Sequence, residues 1–213
     1  MVTEDGSATA FNTPEGISVL EFWKRLLDAG VYEAGFEQGL GESVDPFVTG
    51  RVAMLYNGPW MLSTYERYGD DLHFGVVPPP AGPNGDQGSV MGGFGLMIPA
   101  AAQHPEEAWE FMKWWLAEPE NALLWSQTSR NITGNLAALE DPYFQEDPYL
   151  PAFIETLNFA RIRPPFPGYS PMEIDALIPA AQLFMQGQIS AEDALNQAQQ
   201  QGDIILQENN EIS

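Results

Sequence analysis

The sequence predicts an α/β protein rich in helix, on three observations. Amphipathic segments with recognisable starts recur along most of the chain, and between them lie three short apolar runs of strand length, 51–56, 72–77 and 92–98. None of these runs meets the next across a two-residue turn, so all-β architectures are disfavoured and helices layered on a sheet are expected.

The first helix starts after Asn12 or Thr13, with Pro14 at its first position. Ile17, Leu20, Trp23 and Leu27 share one face, and Gly30 closes it. Residues 31–44 form a Gly-rich connection, and 45–50 a short helical turn. The run 51–56 (RVAMLY) reads as a buried strand. Gly58-Pro59-Trp60 opens a second helix reaching about Tyr68, and 72–77 (LHFGVV) is a further strand. The Pro- and Gly-rich stretch 78–89 is a surface loop. A glycine-led strand follows at 92–98. The segment 105–116 begins with Pro and two Glu, and places Ala108, Phe111, Met112 and Trp115 on one apolar face, with Trp23, Phe111 and Trp115 expected to pack in the core. Helices are expected at 119–126 and 148–158, joined through an acidic connection at 141–147. Four prolines keep 160–171 extended. Two helices, about 172–186 and 191–207, finish the chain, and Ser190-x-x-Asp193 reads as a capping box for the last.

With 213 residues, 44% of them hydrophobic, the chain can bury a core. No apolar run reaches membrane-spanning length. Residues 1–10 lack the basic and apolar regions of a signal peptide, so the chain is expected to be cytoplasmic, mature or part of something longer. Thirty acidic residues face eight basic ones, a net charge of −22, which repels phosphate backbones and argues against nucleic acid as a partner. The acids are scattered, as a solvated surface requires. Adaptation to high salt is a second reading of the same charge.

Cysteine is absent, which excludes disulfides and thiol chemistry. His73 and His104 stand too far apart, without further ligands, for a zinc site, so no metal is expected. Nucleophile elbows, phosphate loops and dinucleotide fingerprints are missing. The adjacent carboxylates Asp70/Asp71, Glu106/Glu107 and Glu140/Asp141 suit caps and turns rather than a glycosidase pair. The positive signal is aromatic: six Trp, seven Tyr and twelve Phe. Trp60 stands apart because it follows a Gly-Pro turn at a helix start, where free backbone N–H groups and an exposed ring suit a polar ligand with flat apolar faces.

Several segments, in order, resemble one family. Residues 46–60, PFVTGRVAMLYNGPW, are similar to the F-x-x-G-x-x-A-M-x-x-x-G-x-W segment of the family 1 extracellular solute-binding proteins, the group of maltose-binding protein. Residues 92–98 resemble its G-G-x-x-x-x-I strand and 105–111 its E-x-A-x-x-F helix. The Pro-rich 164–171 and the tail formed by Gly187, Ser190, Glu192, Ala194 and Leu195 complete the set. Two positions depart from the pattern. Residues 129–134 lack the usual Pro, and 172–175 lack an aromatic, for which Tyr169 is the nearest substitute.

The resemblance implies a periplasmic-binding-protein-like (type II) fold, two α/β lobes with a ligand between them, of which this chain is the C-terminal half. Residues 1–90 and 165–213 would build one lobe, 95–157 would contribute to the other, and 91–94 and 158–164 would cross between them. It further implies an extracytoplasmic protein that hands a mono- or oligosaccharide to the permease of an ABC importer, with its N-terminal half and signal sequence missing from this chain. Trp60 would stack on the sugar, with Asn57 and Gly58 on the same turn. Gly92 and Gly93 would let the backbone approach the ligand, and Phe94, Arg163 and Tyr169 would face the cleft. No residue would be catalytic and no cofactor would be needed. Two rivals are a carbohydrate hydrolase with facing carboxylates and an interaction domain using exposed aromatics.

Overall fold

Helix α1 (Pro14–Asp28) forms where its cap chemistry dictates. The Thr13 hydroxyl accepts the Gly16 N–H, and Pro14 occupies the first turn. It ends in a Schellman turn: Gly30, at φ +70°, donates to Leu27 O while Val31 donates to Leu26 O. This computed structural model describes residues 1–31 and 45–210. The connection expected at 31–44 therefore falls, apart from Val31, outside the described residues.

The chain divides into two compact units, Met1–Asp45 with Pro164–Ser213, and Pro46–Arg163. The first is helical. Tyr169–Pro171 (α7) runs through a π-helical stretch, Met172–Leu177, into Ile178–Met185 (α8), and Ala191–Asn210 (α9) packs on both and on α1. Its core joins Phe11 and Leu20 to Tyr169, Met172, Leu195 and Leu206. A side chain at Gly202 of α9 would lie 2.8 Å from Thr9 and 3.0 Å from Met172, so glycine sets how closely these elements approach. Asp203 fastens the early segment to α9 by accepting both the N–H and the hydroxyl of Thr9, at 2.7 and 2.8 Å. Ser190 caps α9 as its sequence position foretells: its hydroxyl accepts the Asp193 N–H at 3.0 Å and donates to the Asp193 carboxylate at 2.7 Å.

The second unit carries a helical run composed of Pro59–Met61, Leu62–Tyr65 (α2) and Glu66–Asp71. It also contains Pro105–Met112 (α3) with a π-helical continuation at Lys113–Ala117, Pro119–Ser129 (α4), Tyr143–Glu146 (α5) and Leu150–Thr156 (α6). Two short parallel strands, Ser89–Met91 (β1) and Ala160–Ile162 (β2), pair Ser89 with Ala160, Val90 with Arg161 and Met91 with Ile162. Leu62, Phe144 and Leu150 are almost fully buried, and Phe74, Val76 and Tyr149 pack against them. Rings continue this core: Phe47 lies 5.4 Å from Tyr65, Tyr65 lies 5.5 Å from Phe74, and Phe74 stacks on Tyr149 at 4.5 Å.

Several expectations need correction. The run 51–56 is not a buried strand: Met54 is 86% exposed and no strand is assigned there. Residues 72–77 alternate half-buried and exposed, as a strand does, yet belong to no sheet. The strand expected at 92–98 lies upstream at 89–91. The common cause is that a strand needs a neighbour for its backbone groups, and among the described residues only β1 and β2 supply each other. The expected turn at 45–50 is present, closed by backbone bonds from Gly50 N–H to Phe47 O and from Arg51 N–H to Pro46 O, with Thr49 Oγ1 adding a bond to Pro46 O. Trp23 and Phe111, expected in the core, are each about half exposed. Within this chain alone the compact units divide at 45/46 and 163/164; the lobe bounds at 90 and 165 are an expectation for the whole two-lobed protein. Residues 46–90 join the second unit because Leu62, Phe74 and Val76 pack on Phe144, Leu150 and Tyr149.

Candidate functional site

The turn before α2 is shaped by glycine. Gly58 donates its N–H to the Asn57 side-chain oxygen at 2.9 Å and is itself buried. Its backbone is extended, at φ −116° and ψ 173°, so no positive φ demands glycine there. The Trp60 ring demands it instead: a Cβ on Gly58 would lie 2.0 to 2.5 Å from three atoms of the indole. The ring is folded back over the Gly58 backbone and still stands 55% exposed, at the first turn of the helical run. Asn57 is exposed beside it. Upstream, the Tyr56 hydroxyl donates to Ser89 Oγ at 3.1 Å, which ties this turn to the start of β1.

β1 and β2 are parallel, so both deliver their next residues to the same end of the pair. Gly92 follows Met91 and Arg163 follows Ile162, the last register partners. Carboxyl ends of parallel strands are where α/β folds place ligands, since the chain leaves the sheet there and side chains converge. Gly92 and Gly93 have no positive φ, and a Cβ on either meets nothing within 4 Å, so the segment presents bare backbone to open space. Phe94 is 96% exposed. Six of the eight expected residues besides Tyr169 and Arg163 thus form two surface stretches of one unit, linked through Tyr56 and Ser89. Arg163, exposed, ends that unit.

Tyr169 is the exception. It belongs to the other unit, is 6% exposed and lies in that unit's core. Gly168, at φ +78°, turns the chain so that Tyr169 opens α7 against α9 instead of facing outward. In this chain Tyr169 packs in its unit's core, whereas the resemblance places it facing the cleft. An open concavity of about 720 Å³ between α3 and α4 is lined by Glu110, Lys113, Trp114, Glu118 and Glu120, and includes none of the expected site residues.

Sequence reasoning missed a buried arginine with three side-chain partners. Arg130 ends α4 at φ 62° and is 8% exposed. One guanidinium nitrogen meets Glu66 at 2.8 Å and Asp147 at 2.6 Å, and the other donates to the Tyr143 hydroxyl. Burial opposes the charge on Arg130, but the hydrogen bond and charge of Asp147, then Tyr143 and Glu66, outweigh it and hold its pKa above the ordinary value. Burial also raises the Tyr143 phenol, against the pull of Arg130. The partners lie at 66, 143 and 147, spacings that form no local pattern, so no sequence signal announces them. Among the described residues no three metal-ligating side chains cluster, and no helix is long and apolar enough to cross a membrane.

The family described as bacterial extracellular solute-binding proteins matches residues 1–152. A protein of Brucella abortus, named as a binding protein, is 25% identical over 212 residues, which is 97% of this chain and 50% of its own length. The maltotriose-binding protein of Pyrococcus abyssi is 31% identical over 125 residues, 57% of this chain and 27% of its own. Among solved structures, the cyclic α-maltosyl-1,6-maltose binding protein of Arthrobacter globiformis superposes with a TM-score of 0.75 at 25% identity, covering 97% of this chain and 52% of that one. The fold is therefore periplasmic-binding-protein-like, type II, and the chain spans about half the length of the curated relatives it matches. The match over residues 1–152, together with the turn of Trp60 and the glycine-led exit from β1, leads to one conclusion: the chain belongs to the bacterial extracellular solute-binding proteins.

Proposed function

We propose that this chain is the C-terminal half of the substrate-binding component of an ABC importer, and that the whole protein binds a mono- or oligosaccharide between two lobes. The observation that carries the reading is Trp60, an indole held at a helix start with about half its surface open. A flat apolar sugar face covers such a ring, while the neighbouring exposed Asn57 amide can bond hydroxyls. Gly92 and Gly93 leave room for the ligand to meet backbone, with Phe94 and Arg163 at its margin. The names of the relatives, which include a maltotriose-binding and a cyclic maltosyl-maltose binding protein, point to the same ligand class.

In this reading the segments 91–94 and 158–164 cross between lobes, residues 1–90 and 165–213 belong to one lobe, and 95–157 to the other. The pairing of β1 with β2 beside both crossings supports that layout. Lobe closure buries the sugar and forms the surface a permease recognises, so the protein works outside the cytoplasm and no side chain is catalytic. The unmatched half of the relatives is the partner that supplies the second wall, and neighbours for the unpaired runs 51–56, 72–77 and 92–98. Calorimetry against a maltooligosaccharide panel tests the reading. The 213-residue chain alone binds negligibly, because losing about half of roughly 8 kcal/mol turns a micromolar site millimolar. Joined to its first half it binds, and Trp60→Ala then weakens binding by about 1–3 kcal/mol. Micromolar binding by this chain alone would refute the half-site reading, and an unchanged affinity in Trp60→Ala the stacking role.

A further inference from the structure

We propose that Arg130 is a positioning residue for Trp60, acting through Glu66 to fix the helical run that carries the indole. Its purpose rests on the stacking role of Trp60 given above; its geometry does not.

The run from Pro59 to Glu66 is one body. Met61, Leu62, Tyr65 and Glu66 are all right-handed helical, so the short 3-10 and α segments join without a break. Trp60 stands at one end and Glu66 at the other. Apolar contacts seat the run: Leu62 is 2% exposed in the cluster with Phe144 and Leu150, and Tyr65 packs between the rings of Phe47 and Phe74. Such contacts set the depth of the run but are individually non-directional. A directed bond is needed to fix orientation, and Glu66 makes one with the guanidinium of Arg130. Arg130 is held in turn by Asp147, whose side chain is 7% exposed, and by the Tyr143 hydroxyl, over whose ring it also sits at 5.8 Å. The planar fork of arginine presents these donors in a fixed geometry that a lysine cannot reproduce.

The backbone adds an independent sign. Arg130 ends α4 in the left-handed region, where glycine is the ordinary choice, and it is the sole described non-glycine residue at positive φ. A long side chain kept at such a position, and buried there with three partners, has work that a glycine cap could not do. That work joins the helical run of Trp60 to the end of α4 and the start of α6, elements far apart in sequence.

The test needs no sugar, so its failure is separate from failure of the binding reading. The full chain is labelled with 5-fluorotryptophan and its six fluorine signals recorded, that of Trp60 being assigned by its loss in Trp60→Phe. Two variants cut the link from opposite ends. Arg130→Gly suits the backbone and removes the guanidinium; Glu66→Gln leaves the Arg130–Asp147 pair intact. In both, the Trp60 signal is expected to shift or broaden while those of Trp23 and Trp109 hold their positions, and Arg130→Lys is expected to return it only part of the way. A Trp60 signal unmoved in both variants would overturn the proposal. So would an equal displacement of all six signals in Glu66→Gln, which marks a general structural role. Should Arg130→Gly unfold the chain, Glu66→Gln decides alone.

Discussion

Gly58→Ala offers a sharp probe of the Trp60 turn, because the backbone at Gly58 tolerates any residue and only the ring objects. A methyl 2.0 Å from the indole forces the ring outward. Trp60 is 55% exposed, so it hides a little under half its surface. That is on the order of 90 Å² for a tryptophan, worth about 2 kcal/mol at most. Alanine also restrains the unfolded chain, which returns about 0.4–1 kcal/mol. Gly58→Ala is therefore expected to destabilise by about 1–2 kcal/mol in urea unfolding. In a Trp60→Ala background the clash is gone, and the same substitution becomes neutral or mildly stabilising. The double-mutant cycle should show a coupling of about 2 kcal/mol between positions 58 and 60. Equal costs with and without the indole would refute the reasoning, since the ring would then not be resting on Gly58.

Three further outcomes follow from the structure. Ser190→Ala removes both bonds of the α9 N-cap hydroxyl and should cost about 1 kcal/mol, while Ser190→Asp retains most of it in the same unfolding assay. The Asp5 carboxylate is held down to about 2, first by the Thr3 hydroxyl and then by the Ser7 hydroxyl and N–H; this stabilisation is complete above about pH 4 and is lost as pH falls toward 2, so Thr3→Val should raise its NMR titration midpoint toward 3.8. With a net charge of −22, unfolding midpoints should rise between 0.1 and 1 M KCl, as the screening length drops from about 10 to about 3 Å; a midpoint indifferent to salt would argue against significant self-repulsion.

What the sequence made legible was local chemistry. Thr13, Pro14 and Gly30 bound α1, and Ser190 with Asp193 starts α9, because caps and Schellman turns depend on residues within one or two turns of each other. Trp60 was legible as an exposed ring at a helix start for the same reason. The strands were not, since 51–56 and 72–77 have strand composition but pairing depends on distant neighbours. The burial of Tyr169 was not legible because the turn at Gly168, which sends it inward, shows only in the backbone. Trp23 and Phe111 read as core because amphipathic spacing marks a face to be covered without saying what covers it. Arg130 was invisible, being a lone arginine whose three partners come from three other segments.

The bond between Thr9 and Asp203 bears on the order in which the molecule can form. The first unit is assembled from the two flanks of the sequence, with all of 46–163 looped out between them. Pairing those flanks means closing a long loop before their contacts repay the lost entropy. The second unit, by contrast, is a single uninterrupted stretch. During synthesis its hydrophobic cluster can therefore settle first, while α1 waits with Leu20 uncovered until α8 and α9 have emerged. Premature termination anywhere before Asp203 would strand α1 without its helical partner α9 intact, leaving an apolar stripe for chaperones and proteases to find.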